Sequence, residues 1–342
     1  MVAGAAAGPA VKTAAARPSI EPLRLLVSDD MDAVNREILR RMASDVSLIP
    51  ELASHLIAAG GKRIRPLLTL GAAKLCGYRG DKHVLLATCV EFIHTATLLH
   101  DDVVDESERR RGNTTANVLW GNQASVLVGD FLFSRAFQLM VETGSLEVLR
   151  ILANASAVIA EGEVLQLMTA NDMDSTEADY LKVIESKTAA LFAAACRVGA
   201  VIANRPDDEV QGLDDYGRYL GIAFQLVDDA LDYAADGATL GKNTGDDFKE
   251  GKVTLPVVLA FNRGSETERS FWRRVIEQPE EQQPEDWQQA QRHLARHGAI
   301  EETLGRARLY GQKARQALMA FPAGTARDAL AEAIDFAIER AL

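Results

Sequence analysis

Apolar side chains recur along most of the chain at intervals of three and four residues, the period of an amphipathic helix. This spacing predicts helices over Asp30–Met42, Pro50–Ala59, Pro66–Cys76, Lys82–Val104, Ala124–Val141, Leu146–Leu167, Thr176–Ala203, Pro206–Ala234 and Leu255–Asn262, with several more between Glu266 and Leu342. No segment shows the period of two that a half-buried strand requires. The pattern therefore predicts an all-α protein, a bundle of long helices.

The domain organisation follows from where the pattern stops. No low-complexity linker interrupts residues 20–342, which we expect to form one domain. Residues 1–19 are mostly Ala, Gly and Pro, and they predict a flexible tail because they lack the bulky apolar segment of a secretory signal. The most apolar stretch, 84–99, is shorter than a membrane span and contains Glu91 and His94. It predicts a buried helix and no transmembrane segment.

Charge and cysteine usage narrow the function classes. Lys and Arg number 37 and Asp and Glu 49, and this net charge of −12 leaves no basic footprint for a nucleic-acid partner. The three cysteines, Cys76, Cys89 and Cys196, form no CxxC pair. They predict neither a disulfide framework nor a zinc site, and we expect a reducing, cytoplasmic location.

Two acidic clusters share the pattern DDxxD, and each follows an apolar helical run. The first consists of Asp101, Asp102 and Asp105, and the second of Asp228, Asp229 and Asp232. At helical spacing their carboxylates lie along one edge, where they repel each other unless cations offset the charge. Carboxylate oxygens suit Mg²⁺, which bridges protein carboxylates to substrate phosphates. One such motif is readily explained as a solvated helix end, but two of them favour a pair of facing magnesium sites.

Three basic segments are candidates for holding phosphate oxygens. The segment GGKRIRP, residues 60–66, places basic residues in a Gly-rich turn before a helix, where N–H groups and the helix dipole attract anions. The run RRR, residues 109–111, follows the first acidic cluster. Lys242 and Lys252 lie in a glycine-containing loop after the second, and such a loop can close over a phosphate. Each alone is compatible with a solvated patch, but together they predict a diphosphate site.

The motifs GGKRIRP, EFIHTATLLHDDVVDESERRRG, SKTA, GIAFQLVDDALDY and GKNTGDDFKEGKVTLP, in this order, resemble those of the trans-isoprenyl diphosphate synthases. Over residues 20–342 the chain is similar to the bacterial long-chain polyprenyl diphosphate synthases. The resemblance implies an isoprenoid synthase fold with a central active-site cavity, assembled as a homodimer. It implies a prenyltransferase that condenses isopentenyl diphosphate, 1′-4 and repeatedly, onto farnesyl or geranyl diphosphate. The product would be a chain of about C40 to C50 for the side chain of a quinone.

The resemblance also implies roles for individual residues. The six aspartates would hold about three Mg²⁺ ions, with the weakest match at Asp229 and Asp232. Isopentenyl diphosphate would be bound by Lys62, Arg65, His94 and Arg111. The allylic diphosphate would be bound by Arg110 and Lys252, with catalytic contacts from Lys187, Thr188, Gln225 and Lys242. The small Ala96 and Thr97, one turn before the first cluster, would leave an apolar tunnel open for a long product.

Two other functions share parts of this pattern. A class I terpene cyclase also uses DDxxD and Mg²⁺, but its second metal site usually carries an Asn/Ser/Glu pattern. The second DDxxD and the GGKRIRP segment favour elongation instead. A regulatory subunit of a heteromeric synthase typically loses the aspartate motifs, and both are intact here. The sequence is also compatible with loose membrane association, because the implied product is a long hydrocarbon chain.

Overall fold

The computed structural model describes residues 18–58, 61–110, 112–234 and 245–340. The helices are α1 Glu21–Leu26, α2 Ser28–Met42, α3 Leu48–Ala58, α4 Ile64–Leu75, α5 Lys82–Val104, α6 Ala116–Trp120, α7 Asn122–Glu142, α8 Leu146–Thr169, α9 Glu177–Ile184, α10 Ala190–Ile202, α11 Asp207–Asp232, α12 Asp246–Lys249, α13 Leu255–Arg263, α14 Glu266–Glu277, α15 Asp286–Arg296, α16 Ala299–Leu318 and α17 Thr325–Glu339. A π-helical segment, Glu185–Ala189, joins α9 to α10, and a 3-10 turn, Pro279–Glu281, follows α14. Strands β1, Arg109–Arg110, and β2, Asn113–Thr114, form a short antiparallel hairpin.

The structure is 78 % helical, which confirms the all-α prediction. The helix predicted over 82–104 has those bounds in α5. Two differences have local causes. The helix expected over 176–203 divides into α9 and α10 at the π-helical segment. The hairpin of β1 and β2 was not predicted, because strands of two residues are too short to show an alternating pattern.

Local sequence signals explain where several helices begin and end. Thr176 and Asp179 form a reciprocal capping box at the start of α9, which satisfies two backbone donors. Pro66 lies in the first turn of α4, where a missing N–H costs no hydrogen bond. Gly77, just after α4, has φ +70°, a conformation that glycine adopts without strain. These short signals fix α4 and α9 before any packing is considered.

Helix α10 lies at the centre of the bundle and packs against α4, α5, α8 and α11. Its sequence, ALFAAACRVGAVI, is apolar around almost the whole circumference, so every face can be buried. Helix α11 approaches it closely at Gly217, where a Cβ atom would lie 2.4 Å from the carbonyl oxygen of Phe192. Glycine is therefore required at this crossing.

Helices α5 and α7 are each long and apolar enough to cross a membrane by length and composition alone. They pack against each other in the bundle, with about half of each apolar window buried (56 % in α5 and 44 % in α7). Helix α5 also ends in the first acidic cluster. Core helices of a folded bundle meet the same criterion, so these two helices are weak grounds for a membrane span. The segment 84–99 lies in α5 as a largely buried helix, as expected.

Candidate active site

The first acidic cluster lies where α5 ends. Asp101 is largely buried, which raises the pKa of its carboxyl, and its Oδ2 atom lies 3.7 Å from Nζ of Lys187. The Oδ2 atom of Asp105 lies 3.9 Å from Nζ of Lys252. Asp102 points away from this face, is almost fully buried, and accepts a hydrogen bond of 2.7 Å from Nε of Arg110. The first and last aspartates of the motif thus share one face, and the middle one anchors the β1 strand.

The second acidic cluster lies where α11 ends, and its aspartates divide in the same way. Asp228 forms an ion pair of 2.9 Å with Nη1 of Arg340. Asp232 accepts a hydrogen bond of 3.0 Å from the backbone N–H of Asp247. Asp229 is buried, and burial raises its pKa to about 6. Both of its carboxylate oxygens are engaged by protein donors.

Lys252 lies between the two acidic clusters. Nζ of Lys252 lies 3.9 Å from Asp105 at the end of α5 and 3.8 Å from Asp247, whose N–H binds the second cluster. Burial alone would lower the pKa of Lys252, but Asp247, Glu250 and Asp105 raise it above its usual value. The carboxylates of α5 and α11 therefore face each other, as the repeated DDxxD pattern predicts.

Lys187 and Thr188 lie in the π-helical segment. Two glycines on the neighbouring helices α8 and α11 allow those helices to pack closely against it. A Cβ at Gly162 of α8 would lie 2.7 Å from Cβ of Ser186, and one at Gly221 of α11 would lie 2.7 Å from Cα of Ala189. Single π turns inside helices occur frequently at functional sites. Here the turn presents Lys187 to the first cluster and Thr188 to the neighbourhood of the second.

Lys187 has a second acidic partner that the sequence analysis did not identify. Its Nζ donates a hydrogen bond of 2.7 Å to Oε2 of Glu163 on α8. Burial, with Asp101 nearby, raises the pKa of Glu163. The only sequence signal was a charged residue within the apolar run of α8.

The basic segment at the start of α4 packs against aromatic side chains. Nζ of Lys62 stands 5.0 Å from the ring centroid of Phe336 on α17, and the guanidinium of Arg65 stands 4.6 Å from that of Phe192 on α10. The Phe192 ring packs at 5.6 Å against Phe224, which Arg340 covers at 3.8 Å. Arg340 was missed, because a lone arginine near the end of the chain carries no motif.

His94 lies partly buried on α5, two turns before Asp101. One turn earlier, Glu91 accepts a hydrogen bond of 2.6 Å from Nη1 of Arg63. Arg63 has φ +49°, a left-handed conformation that is uncommon outside glycine. The Glu91 pair therefore holds the turn that precedes α4, a role that sequence reasoning left unassigned.

Ala96 and Thr97 lie on different faces of α5. Ala96 is fully buried and stands two turns after Cys89, whose thiol hydrogen-bonds to the carbonyl of Ala136 on α7 at 3.4 Å. Thr97, one turn before Asp101, donates a hydrogen bond of 2.8 Å to the carbonyl oxygen of His94. Ala96 therefore belongs to the face that meets α7, and Thr97 to the face of Asp101.

Some predicted residues lie outside the described residues. They are Arg111, Lys242, the glycines of the loop up to residue 244, Gly60 and the first seventeen residues of the predicted tail. The remaining predicted side chains lie in the last three turns of α5 or just after it, near the end of α11, in β1, in the π-helical segment, and in or just before α4, with Lys252 just after α12. These elements are brought to one end of the bundle.

The donor set fits Mg²⁺ bound jointly with phosphate. Within the described ranges, no three His, Cys, Asp or Glu side chains are grouped tightly enough to hold an ion by themselves. Carboxylates occur instead as opposed pairs. Mg²⁺ is usually bound through one or two carboxylates plus substrate phosphates and water. Pairs of aspartates one helical turn apart are therefore a suitable protein half of such a site.

Comparisons with known proteins agree with this arrangement. Residues 46–294 match the model of the polyprenyl synthetase family. The chain belongs to the polyprenyl synthetase family. This membership confirms the predicted prenyltransferase class.

This polyprenyl synthetase is 49 % identical over 330 residues to the octaprenyl diphosphate synthase of Escherichia coli strain K12, covering 94 % of this chain and 99 % of the relative. A decaprenyl diphosphate synthase structure from Rhodobacter capsulatus has a TM-score of 0.91 and 54 % identity, covering 95 % of this chain and all of that one. A polyprenyl synthase from Caulobacter crescentus CB15, complexed with calcium and isoprenyl diphosphate, has a TM-score of 0.92 and 54 % identity, with 96 % and 99 % covered.

Proposed function

We propose that this polyprenyl synthetase is a long-chain all-trans polyprenyl diphosphate synthase. It extends farnesyl or geranyl diphosphate by repeated 1′-4 condensation with isopentenyl diphosphate, giving a product of about C40 to C50 for a quinone side chain. One observation carries the proposal, namely the two aspartate clusters that face each other across Lys252, with Lys187 beside the first of them. The chain length is supported by the octaprenyl and decaprenyl synthases among the relatives.

The metal ions are assigned to the outer aspartates of each motif. Asp101 and Asp105 would hold Mg²⁺ on one side, and Asp228 and Asp232 on the other, about three ions in all. Bound Mg²⁺ neutralises the diphosphate and makes it a better leaving group. The metal role of all six aspartates is a prediction, and the middle two, Asp102 and Asp229, differ from the outer four in being almost fully buried.

The allylic diphosphate is assigned to the space between the clusters. Lys187 and Lys252 each stand within 4 Å of an aspartate there, so they can hold phosphate oxygens beside the metal ions. Arg110 approaches the same end of α5 through its pair with Asp102. Arg111 and Lys242 keep the binding roles that the family resemblance implies.

The isopentenyl diphosphate site is assigned to the adjacent basic segment. The ammonium of Lys62 and the guanidinium of Arg65 stand over the rings of Phe336 and Phe192, which hold the two cations in place by cation–π contacts. His94 lies on the α5 face that leads to Asp101. Two separate cationic sites suit a reaction that joins two diphosphate esters.

The residues between these sites suit cation chemistry. The bond between C1 and oxygen of the allylic substrate breaks, and its electron pair stays on the diphosphate. The double bond of isopentenyl diphosphate then attacks C1, and a proton at its C2 passes to the released diphosphate as the new double bond forms. The hydroxyl of Thr188 and the amide oxygen of Gln225 can face the developing positive charge without attacking it.

The proposal is tested with purified full-length protein, Mg²⁺, farnesyl diphosphate and radiolabelled isopentenyl diphosphate. We expect a ladder of dephosphorylated products that ends at one dominant species of about C40 to C50, and no incorporation after chelation of divalent metal. Cyclic hydrocarbon products would instead support the terpene cyclase. No incorporation with metal and both substrates present would contradict the proposal. It would favour the alternative that the chain is an inactive regulatory subunit of a heteromeric synthase.

The homodimer is proposed on the apolar surface of α6, α7 and α8. Large apolar side chains are exposed there, among them Val118, Leu119, Leu127, Phe137, Val141, Leu146, Leu167 and Met168. Monomeric proteins rarely leave a contiguous apolar surface of this kind in water. A second copy of the chain is the occupant that the family resemblance implies.

A charge substitution on α7 tests the dimer. Leu127→Glu together with Val141→Glu would bury two unpaired charges per copy and weaken the dimer by about 100-fold or more. Sedimentation velocity over a concentration series measures the change. Leu25→Glu on α1 is the matched control, because Leu25 and Leu127 are both 67 % exposed. A monomeric wild type, or an unchanged variant, would contradict the proposed interface.

The proposal also covers the domain organisation of the chain and the location of the enzyme in the cell. Residues 20–342 form one catalytic domain preceded by a tail of residues 1–19, in a cytoplasmic enzyme. Loose membrane association would allow a long product to leave. Neither statement depends on α5 or α7 crossing a bilayer, because both helices are used in the core.

A further inference from the structure

Four buried or half-buried side chains form an unbroken chain of hydrogen bonds across the site. The hydroxyl of Tyr180 on α9 donates to Oδ2 of Asp229. The amide Nε2 of Gln225, one turn earlier on α11, donates to Oδ1 of the same carboxylate at 2.7 Å. The hydroxyl of Thr188 in the π-helical segment donates to Oε1 of Gln225 at 3.0 Å. These hydrogen bonds link α11 to α9 and to the π-helical segment that directly follows α9.

The carboxylate fixes which way the amide of Gln225 points. Asp229 accepts through both oxygens, Oδ2 from the Tyr180 hydroxyl and Oδ1 from the NH₂ end of the Gln225 amide. The carbonyl end must then face Thr188. An amide without such a partner can turn over at little cost, since its oxygen and nitrogen ends have the same shape. The negative end of this dipole is thereby set by Asp229.

Tyr180 fixes the carboxylate in turn. Its hydroxyl is buried, and Asp229 lies beside it on the buried side of α11. Without that donor, one carboxylate oxygen would lose a charge-assisted hydrogen bond, and the Asp229 side chain would be free to rotate. The orientation of the Gln225 amide would then be less well defined.

We propose that Tyr180 and Asp229 are positioning residues, which hold the carbonyl oxygen of Gln225 toward the carbon that becomes positive during condensation. This inference rests on the proposed function and deepens it. Tyr180 touches neither substrate in this assignment and acts through Asp229 and Gln225. Its hydroxyl therefore contributes to the chemical step and leaves substrate binding unchanged.

The test removes one oxygen atom by Tyr180→Phe. We expect kcat for condensation to fall about tenfold or more, because small displacements of an aligned group have effects of that size. The KM for isopentenyl diphosphate and the Kd for the non-cleavable thiolo analogue of farnesyl diphosphate with Mg²⁺ should change less than about twofold. Tyr216→Phe is the matched control, since Tyr216 is also buried and donates to the carbonyl of Leu330 away from the site.

A double-mutant cycle separates positioning from stability. If Tyr180 acts through Gln225, then Tyr180→Phe in the Gln225→Ala background should cost little further activity, whereas independent effects multiply. Multiplying effects, an unchanged kcat in Tyr180→Phe, or a fall in melting temperature far beyond that of Tyr216→Phe would each overturn the inference. An inactive wild type would instead contradict the proposed function, so the two failures are distinguishable.

Discussion

Asp101→Asn is expected to lower kcat by about 10³-fold, because it removes one carboxylate ligand from metal ions that provide several kcal/mol to the leaving group. The substitution nearly preserves shape. Burial already raises the pKa of Asp101, so a neutral side chain is tolerated in its place. Lys187 keeps its hydrogen bond to Glu163 in the variant. We therefore expect a folded protein that has lost its chemistry.

The measurement is the rate of isopentenyl diphosphate incorporation at saturating substrates over a range of Mg²⁺ concentrations, with thermal melting to confirm folding. Asp81→Asn is the matched control, since Asp81 precedes the opposite end of the same helix, α5. The control should retain wild-type rates. Activity of Asp101→Asn within a few-fold of wild type would show that the first acidic cluster does not hold the metal.

Ala96→Tyr is expected to shorten the dominant product by several isoprene units. Ala96 lies five residues before Asp101, about 7.5 Å along the helix at 1.5 Å per residue. It is fully buried on the face of α5 that meets α7. A tyrosine there would project from the face of α5 along which we expect the growing chain to extend. The growing product would meet the ring and leave early.

A graded series distinguishes a tunnel wall from general damage. Ala96→Ser, Ala96→Leu and Ala96→Tyr increase side-chain volume in steps, and the dominant product should shorten in the same order. The rate of the first condensation, measured with geranyl diphosphate, should change much less than the product length. A ladder in Ala96→Tyr that matches wild type would remove Ala96 from the wall. Melting curves for all three variants show whether overpacking has destabilised the core.

The sequence predicted the helical architecture because helix periodicity and capping signals act over a few residues. Helix α5 shows this most clearly, with the predicted bounds 82–104. The π-helical segment could not be predicted in the same way. It depends on the close approach of Gly162 and Gly221, which lie on other helices.

The sequence predicted only part of the candidate site. The DDxxD spacing predicted the residues that could bind metal, because positions one and five of a helical motif share a face. It did not predict that Asp102 and Asp229 turn away and are held by Arg110, Tyr180 and Gln225. Arg110 and Tyr180 lie in β1 and α9, outside the helices that carry these two aspartates, so no local pattern indicates their contacts.

By itself, the sequence determined that the protein is a helical bundle with two acidic helix ends and basic segments beside them, since each of these features is encoded within one helix or turn. Only the tertiary structure decided which lysine reaches which aspartate, and that Tyr180, Glu163 and Arg340 join the site. The physical reason is packing. Contacts between residues far apart in the chain are set by how whole helices fit together.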